Sequence, residues 1–300
     1  MIQLSHFVAQ HAHGGRLRKR RDRRLGAISA SRPAMFGYAA ALTQHVLDPL
    51  RAAGREAVEA LRPHWPAVHD APPPTIRHEV GRVRANVRPK VVGAAPAIAA
   101  KAVRTTLGSV DDKLSAKIYT SLGVQVRQAL LEHGPIAETM ADALSENVDL
   151  ITSIADDYFD ELETILADNW SNVGDWRQAV EAVEHLGEVT QSRAELIARD
   201  QVMKMNSRFN QARQQSLGVT RYEWQTVGDD RVRPAHEELE GTEHDWDEPP
   251  TDADGNTGHA GDCGINDRCT ANPILDLDPD DEDAGGDEAD EENDDEVEED

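Results

Sequence analysis

The sequence predicts a mainly α fold (α+β), an N-terminal arm and helical body followed by a small C-terminal α/β unit. Three observations predict it. Apolar residues recur at helical spacing through most of residues 33–217, most clearly at Ile151, Ile154, Ala155, Tyr158, Leu162, Ile165 and Leu166. Aromatic residues are only 4% of the chain, so alanine and valine must fill much of the interior, which suits closely packed helices. After Gly218 the period changes, and Tyr222, Trp224 and Thr226 alternate with Arg221, Glu223 and Gln225 as in a strand.

The 300 residues are enough for one or two domains with a core of their own. Residues 1–32 read as a basic arm, in which Arg16, Arg18, Lys19, Arg20, Arg21, Arg23 and Arg24 fall within ten positions. Such a cluster suits phosphates or an acidic protein surface, or it is simply a solvated terminus. Ser31-Arg32-Pro33 reads as a helix start, with Ser31 as N-cap. The helix over 33–62 is expected to kink or restart after Asp48, because Pro49 lies inside it. Pro63, Pro66 and Pro72-Pro73-Pro74 make 63–76 a linker.

A helical body follows over 77–189. Its segments are expected near 76–105, 110–133, 135–168 and 174–185. The expected breaks are Pro89, Gly93, Pro96, Gly108-Ser109, Gly134-Pro135, Asn169 to Gly174, and Gly187. Asp156, Asp157, Asp160, Glu161 and Glu163 oppose the apolar stripe of 151–166 and read as a solvated face. The C-terminal unit over 190–275 opens on a helix capped by Thr190 and stopped by Gly218. A turn at Gly228-Asp229-Asp230, a helical turn over 234–240, loops, and a last strand near Asn272-Pro273-Ile274-Leu275 complete it. Residues 276–300 hold 17 acidic residues and no basic ones, a tail expected to be disordered.

Removing those 17 charges from the net charge of −25 leaves −8 for residues 1–275. Only 6 of the 31 basic residues are lysine. High Asp and Glu with scarce Lys resembles the composition of proteins from extreme halophiles, where short Debye lengths make high net charge tolerable. A GC-rich genome encoding an acidic tail is the plainer explanation. No run of 18 apolar residues is present, so no membrane partner is expected. Met1 to Ala9 precede the basic cluster rather than follow it, the wrong order for a secretory signal.

Two constellations carry candidate chemistry. His236, His259, Cys263 and Cys269 are residue types that bind zinc, although their spacing matches no standard finger. A disulfide, two free thiols and half of a metal site all remain open for the two cysteines. Asp229, Asp230, Arg231, Arg233 and His236 would suit acid–base or phosphate chemistry. The alternative is that the acids cap the next turn and pair with the arginines while His236 anchors the loop. No nucleophile motif and no phosphate-cradling glycine loop accompanies them, so the chain reads as a non-enzyme that requires no cofactor.

Taken in order, Ala198-Arg199-Asp200, Leu217-Gly218-Val219, Trp224 to Thr226, and Asp229-Asp230-Arg231-Val232-Arg233 with His236, Leu239 and Gly241 resemble the phage Mu F-like head morphogenesis family. These are minor head proteins of tailed viruses. The parallel continues through Pro249-Pro250, His259-Ala260-Gly261, Asn266-Asp267-Arg268-Cys269 and Pro273, and spans about residues 175–275. Asp267 stands where the family's knot has its first cysteine, with Cys263 nearby, and Ala260 replaces a proline. The resemblance implies a virion protein inside the head near the portal vertex, found in host cytoplasm during assembly. Portal protein, major capsid or scaffold proteins and packaged DNA are the implied partners, and DNA packaging or ejection the implied roles. The composition favours a haloarchaeal virus over an ordinary bacteriophage. Two alternatives are a nuclease or toxin-like enzyme using Asp229, Arg231 and His236, and a nucleic-acid-binding protein acting through the basic arm.

Overall fold

The computed structural model describes Leu4 and residues 22–65, 74–132, 136–171 and 175–276. Arg16, Arg18, Lys19, Arg20 and Arg21 of the basic cluster, most of the proline-rich linker, and the acidic tail beyond Asp276 lie outside the described residues. Within them the chain is mainly helical with a small antiparallel sheet.

Helix α1 (Arg32–Leu42) starts where Ser31 caps it, the Ser31 hydroxyl accepting from the Ala34 N–H at 3.3 Å. A π-turn (Thr43–Leu47) leads into α2 (Asp48–Leu61), so Pro49 sits in the first turn of a restarted helix. Helix α3 runs unbroken from Pro74 to Leu122, where two segments are expected from the sequence. Each internal proline removes one backbone hydrogen bond, at about 3 kcal/mol or more. Pro89 and Pro96 are exposed. Along the same helix Val83, Val91, Ala95, Ile98, Ala99, Ala102 and Val103 are buried, which offsets that loss. Gly123, at φ +72°, ends the helix, and a short α4 (Arg127–Glu132) follows.

Helix α5 (Ala137–Ser171) packs along α3, and α6 (Trp176–Ser216) packs along α5. The expected break at Gly187 and cap at Thr190 are both overturned. Helix α6 is capped instead by Asp175 in a reciprocal box with Gln178, and the Thr190 hydroxyl donates to the Leu186 carbonyl at 2.8 Å inside the helix. Gly187 serves close approach, since a Cβ there would meet the Arg51 side chain at 3.1 Å. Gly54 does the same in α2, where a Cβ would lie 2.2 Å from the Tyr158 hydroxyl. The acidic face of α5 is not merely solvated. Asp156 pairs with Arg84 and Arg88, Asp160 with Arg84, Glu163 with Arg77 and Asp157 with Arg193.

Gly218, at φ +77°, turns the chain out of α6. Strand β2 (Arg221–Gln225), the helical turn α7 (Pro234–Glu237), β3 (Glu243–Asp245) and β4 (Thr270–Asp276) complete the C-terminal unit. The sheet order is β1-β4-β2-β3, all neighbours antiparallel. Strand β1 is Asp22–Arg24, part of the stretch read as an arm. Its register sets Arg24 opposite Ile274, and Leu25 and Ile28 behind it are buried with Leu114, Ile118, Leu217, Val219 and Leu275. Residues 22–31 are thus built into the folded chain.

Helix α6 is the shared spine. Its first half buries Ala179, Val183, Ala194 and Ala198 in the helical core. Its second half keeps Val202, Met205 and Phe209 in that core and also buries polar side chains: Gln201, Asn206, Ser207, Asn210, Arg213 and Gln214. Asn206 donates to Ile28 O and Ser207 to Ala260 O, and the half-buried Gln211 donates to Trp246 O. Arg213 forks onto Asp111 at 2.7 and 3.1 Å and also donates to Leu130 O, joining α6 to α3 and α4.

Candidate functional site

The site is a cup of loops between β2 and β4, closed from below by α6. Trp224 lies on the buried side of β2, and its ring meets the His236 ring edge-on at 5.5 Å. The N–H of Trp224 donates to Thr242 O, and its carbonyl accepts from Gly241 N, both at 2.8 Å. Gly241, at φ +72°, makes that tight return possible, and Leu239 packs against the aromatic core above it.

Asp229, Arg231 and Arg233 serve loop architecture. Asp229 accepts a fork from Arg268, both bonds at 2.6 Å, and also accepts from the Arg231 N–H. Arg268 holds the Asp229 carboxyl well below the usual carboxylate range. Arg233 donates to the carbonyls of Cys263 and Ile265. Gly264, at φ +97°, makes room for it, because a Cβ there would lie 2.8 Å from the guanidinium. Asp230 is exposed. Arg199, Arg231, Arg233 and Arg268 border a cavity of ≈ 140 Å³ whose floor includes His236, Asp267 and Cys269.

Beneath that floor is a buried cluster. His236, on α7, is only 2% exposed. Its Nδ1 faces Asp267 Oδ1 at 3.3 Å and Cys269 Sγ at 3.4 Å, and its Nε2 faces Asp252 Oδ2 at 3.4 Å. The Asp267 carboxylate raises the His236 pKa, against burial, which lowers it. The two acids are held by loop backbone. Asp267 accepts from the N–H groups of Gly261, Cys263 and Cys269, and Asp252 from those of Asp254 and Asn256. Both thiols are free. Burial pushes the Cys263 thiol up to about 12 and raises Cys269 further, with the nearby carboxylates adding to both. Neither is a reactive thiol in this setting.

Of the candidate zinc residues, the structure brings His236, Cys263 and Cys269 into this cluster and leaves His259 outside it. The His259 Nδ1 lies 3.1 Å from the Tyr222 hydroxyl, and its ring stacks edge-on against Trp246 at 5.0 Å. Burial lowers its pKa below the ordinary imidazole value. Asp252 and Asp267 were not singled out as ligands in the sequence. The available signal was Asp267 in a cysteine position of the family's knot. Nothing local to Asp252 distinguished it from its acidic neighbours.

Fold and site define a class: a helical bundle whose last long helix carries a small loop-rich β unit, with charged residues used as loop fasteners. Residues 160–272 match the family described as Phage Mu protein F like protein. The match starts within α5 and takes in all of α6, the cup and the first residues of β4. An uncharacterized protein of Haemophilus influenzae (strain ATCC 51907 / DSM 11121 / KW20 / Rd) is 30% identical over 164 residues. That alignment covers 55% of this chain and 36% of the relative, so the chain spans about a third of that protein's length. No solved structure matches.

Proposed function

We propose that this protein is a minor head protein of a tailed virus, working inside the head near the portal vertex in assembly, DNA packaging or DNA ejection. The observation that carries this reading is the family match over 160–272, the segment that contains the spine helix and the whole cup. The geometry agrees with a structural role. The Asp-x-Arg-Val-Arg motif is consumed in fastening loops, and the cysteines are buried with raised pKa values. No helix among the described residues is long and apolar enough to cross a membrane. The expected partners are the portal protein and major capsid or scaffold proteins, with packaged DNA reached through Arg16 to Arg21.

The test is co-purification with the portal protein of the same virus, in native salt, using the full chain and a full-length variant carrying Arg16→Ser, Arg18→Ser, Lys19→Ser, Arg20→Ser and Arg21→Ser. The chain is kept at full length because Leu4, β1, Leu25 and Ile28 belong to the fold. Binding lost in the variant assigns the contact to the basic segment. Binding retained moves it to the body or the cup. No binding by either chain overturns the portal-linked role.

A further inference from the structure

The cup has little regular structure between β3 and β4, yet its loops converge on one buried point. Loops of this length inside a folded unit need a device to hold them. His236 Nε2, Asp252 Oδ2 and Cys263 Sγ lie within 4.8 Å of one another there, and all three residues are buried.

We propose that this point is a structural zinc site, with His236 Nε2, Asp252 Oδ2 and Cys263 Sγ as ligands and the Asn256 carbonyl oxygen as the fourth donor. A tetrahedral zinc ion with bonds of about 2.0 Å to N and O and 2.3 Å to S sets its ligand atoms about 3.3–3.5 Å apart. The separations found are 3.4 Å for Nε2 to Oδ2, 3.9 Å for Sγ to Oδ2, and 3.6 Å for Sγ to Asn256 O. They are close to the requirement, and the thiol needs to move inward by only a few tenths of an ångström.

Two features select the Nε2 side of the ring over the Nδ1 side. The Nε2 atom is buried and makes no hydrogen bond, because its approach to Asp252 at 3.4 Å satisfies proximity but not direction. A buried imidazole nitrogen without a partner calls for one. The Nδ1 side is already furnished. Asp267 Oδ1 faces Nδ1 and accepts the Cys269 N–H at 2.9 Å, while Oδ2 accepts from Gly261 and Cys263. That is the place of the carboxylate that orients a metal-bound histidine and sets its tautomer. Asp267 is therefore a positioning residue, and Cys269 a buried bystander. On binding, the Cys263 S–H bond breaks, its proton leaves to solvent, and the thiolate sulfur bonds the ion.

The experiment is metal analysis of the full chain, purified without a polyhistidine tag and under reductant, followed by cobalt(II) titration of chelator-treated protein. The expected result is one zinc per chain and a cobalt–thiolate charge-transfer band in the near ultraviolet. The band should be lost in Cys263→Ser and kept in Cys269→Ser. Asp267→Asn should keep the band and weaken binding roughly 10–100-fold. Asp252→Asn, close in shape to the native residue, should lower affinity while circular dichroism shows the helices intact. No zinc in the purified chain and no band in folded, chelator-treated protein after cobalt addition would overturn the site. A band lost in Cys269→Ser but kept in Cys263→Ser would overturn the ligand set.

Discussion

The body and the cup are held together differently. In the body, α3, α5 and α6 meet through Ala, Val, Ile and Leu at helical spacing, and Gly54 and Gly187 let α2 approach α5 and α6. The cup has a small core of Tyr222, Trp224, Trp246, Ala260, Cys263, Cys269 and Ala271, and its loops depend on carboxylates and guanidiniums bonded to backbone. The body spreads its stability over many interchangeable apolar contacts. The cup concentrates it in few residues, each with several partners. Single changes should therefore be tolerated unevenly, and the unevenness is measurable.

The largest effect is expected at the two anchors that the body cannot replace. Trp224→Ala removes one of the two buried tryptophans of the cup and should cost roughly 3–5 kcal/mol in urea unfolding. Asp111→Ala strands the Arg213 guanidinium in a site where the two side chains are 3% and 7% exposed, and should cost about 3–5 kcal/mol. A loss below about 1 kcal/mol in either variant would mean that stability is not concentrated in these contacts.

Next is the close approach inside the body. Gly54→Ala puts a methyl group 2.2 Å from the Tyr158 hydroxyl and 2.9 Å from Val183, and should cost about 1–3 kcal/mol despite the better helix propensity of alanine. The Tyr158 hydroxyl is buried without a hydrogen-bond partner, so Tyr158→Phe alone should be near neutral. The double variant should recover most of the Gly54→Ala loss. If it recovers nothing, the strain lies against Val183 instead.

These examples show what was legible in the sequence. The helical class, the Ser31 cap, the restart after Asp48, the stop at Gly218 and the strands around Trp224 and Ile274 follow from local patterns and are found in the structure. Long-range packing overrode local rules at Pro89, Pro96 and Gly187. A broken backbone bond or a missing Cβ is tolerated there because a neighbouring helix or solvent satisfies what is lost. Strand β1 was hidden by its composition, since Asp22-Arg23-Arg24 has no apolar alternation and its pairing with β4 is written 250 residues away. The cup was legible as residue types but not as geometry. Asp252, rather than His259, lies beside His236, because which loop faces which ring edge is not encoded in spacing alone.

The smallest expected effects lie on the acidic face of α5, and they sharpen the comparison because they are many and weak. Asp156 is flanked by Arg88 at 2.6 Å and Arg84 at 3.0 Å, with all three side chains roughly a third exposed. Exposed pairs of this kind are worth about 0.2–1 kcal/mol each. A double-mutant cycle on Arg88 and Asp156 should give a coupling in that range at low salt and a smaller one in 1 M NaCl, where the Debye length is about 3 Å. Arg88, then Arg84, lowers the Asp156 pKa below its ordinary value. The sign follows: the stabilisation is present above the unfolded carboxyl pKa of about 3.9 and is lost as pH falls below it through the folded value. Acid titration of melting temperature should therefore show a shallow loss starting near pH 4 that Asp156→Asn reduces. A coupling that survives 1 M salt undiminished would mean that the face behaves as a shielded network. The body would then share with the cup a dependence on charge that its apolar core conceals.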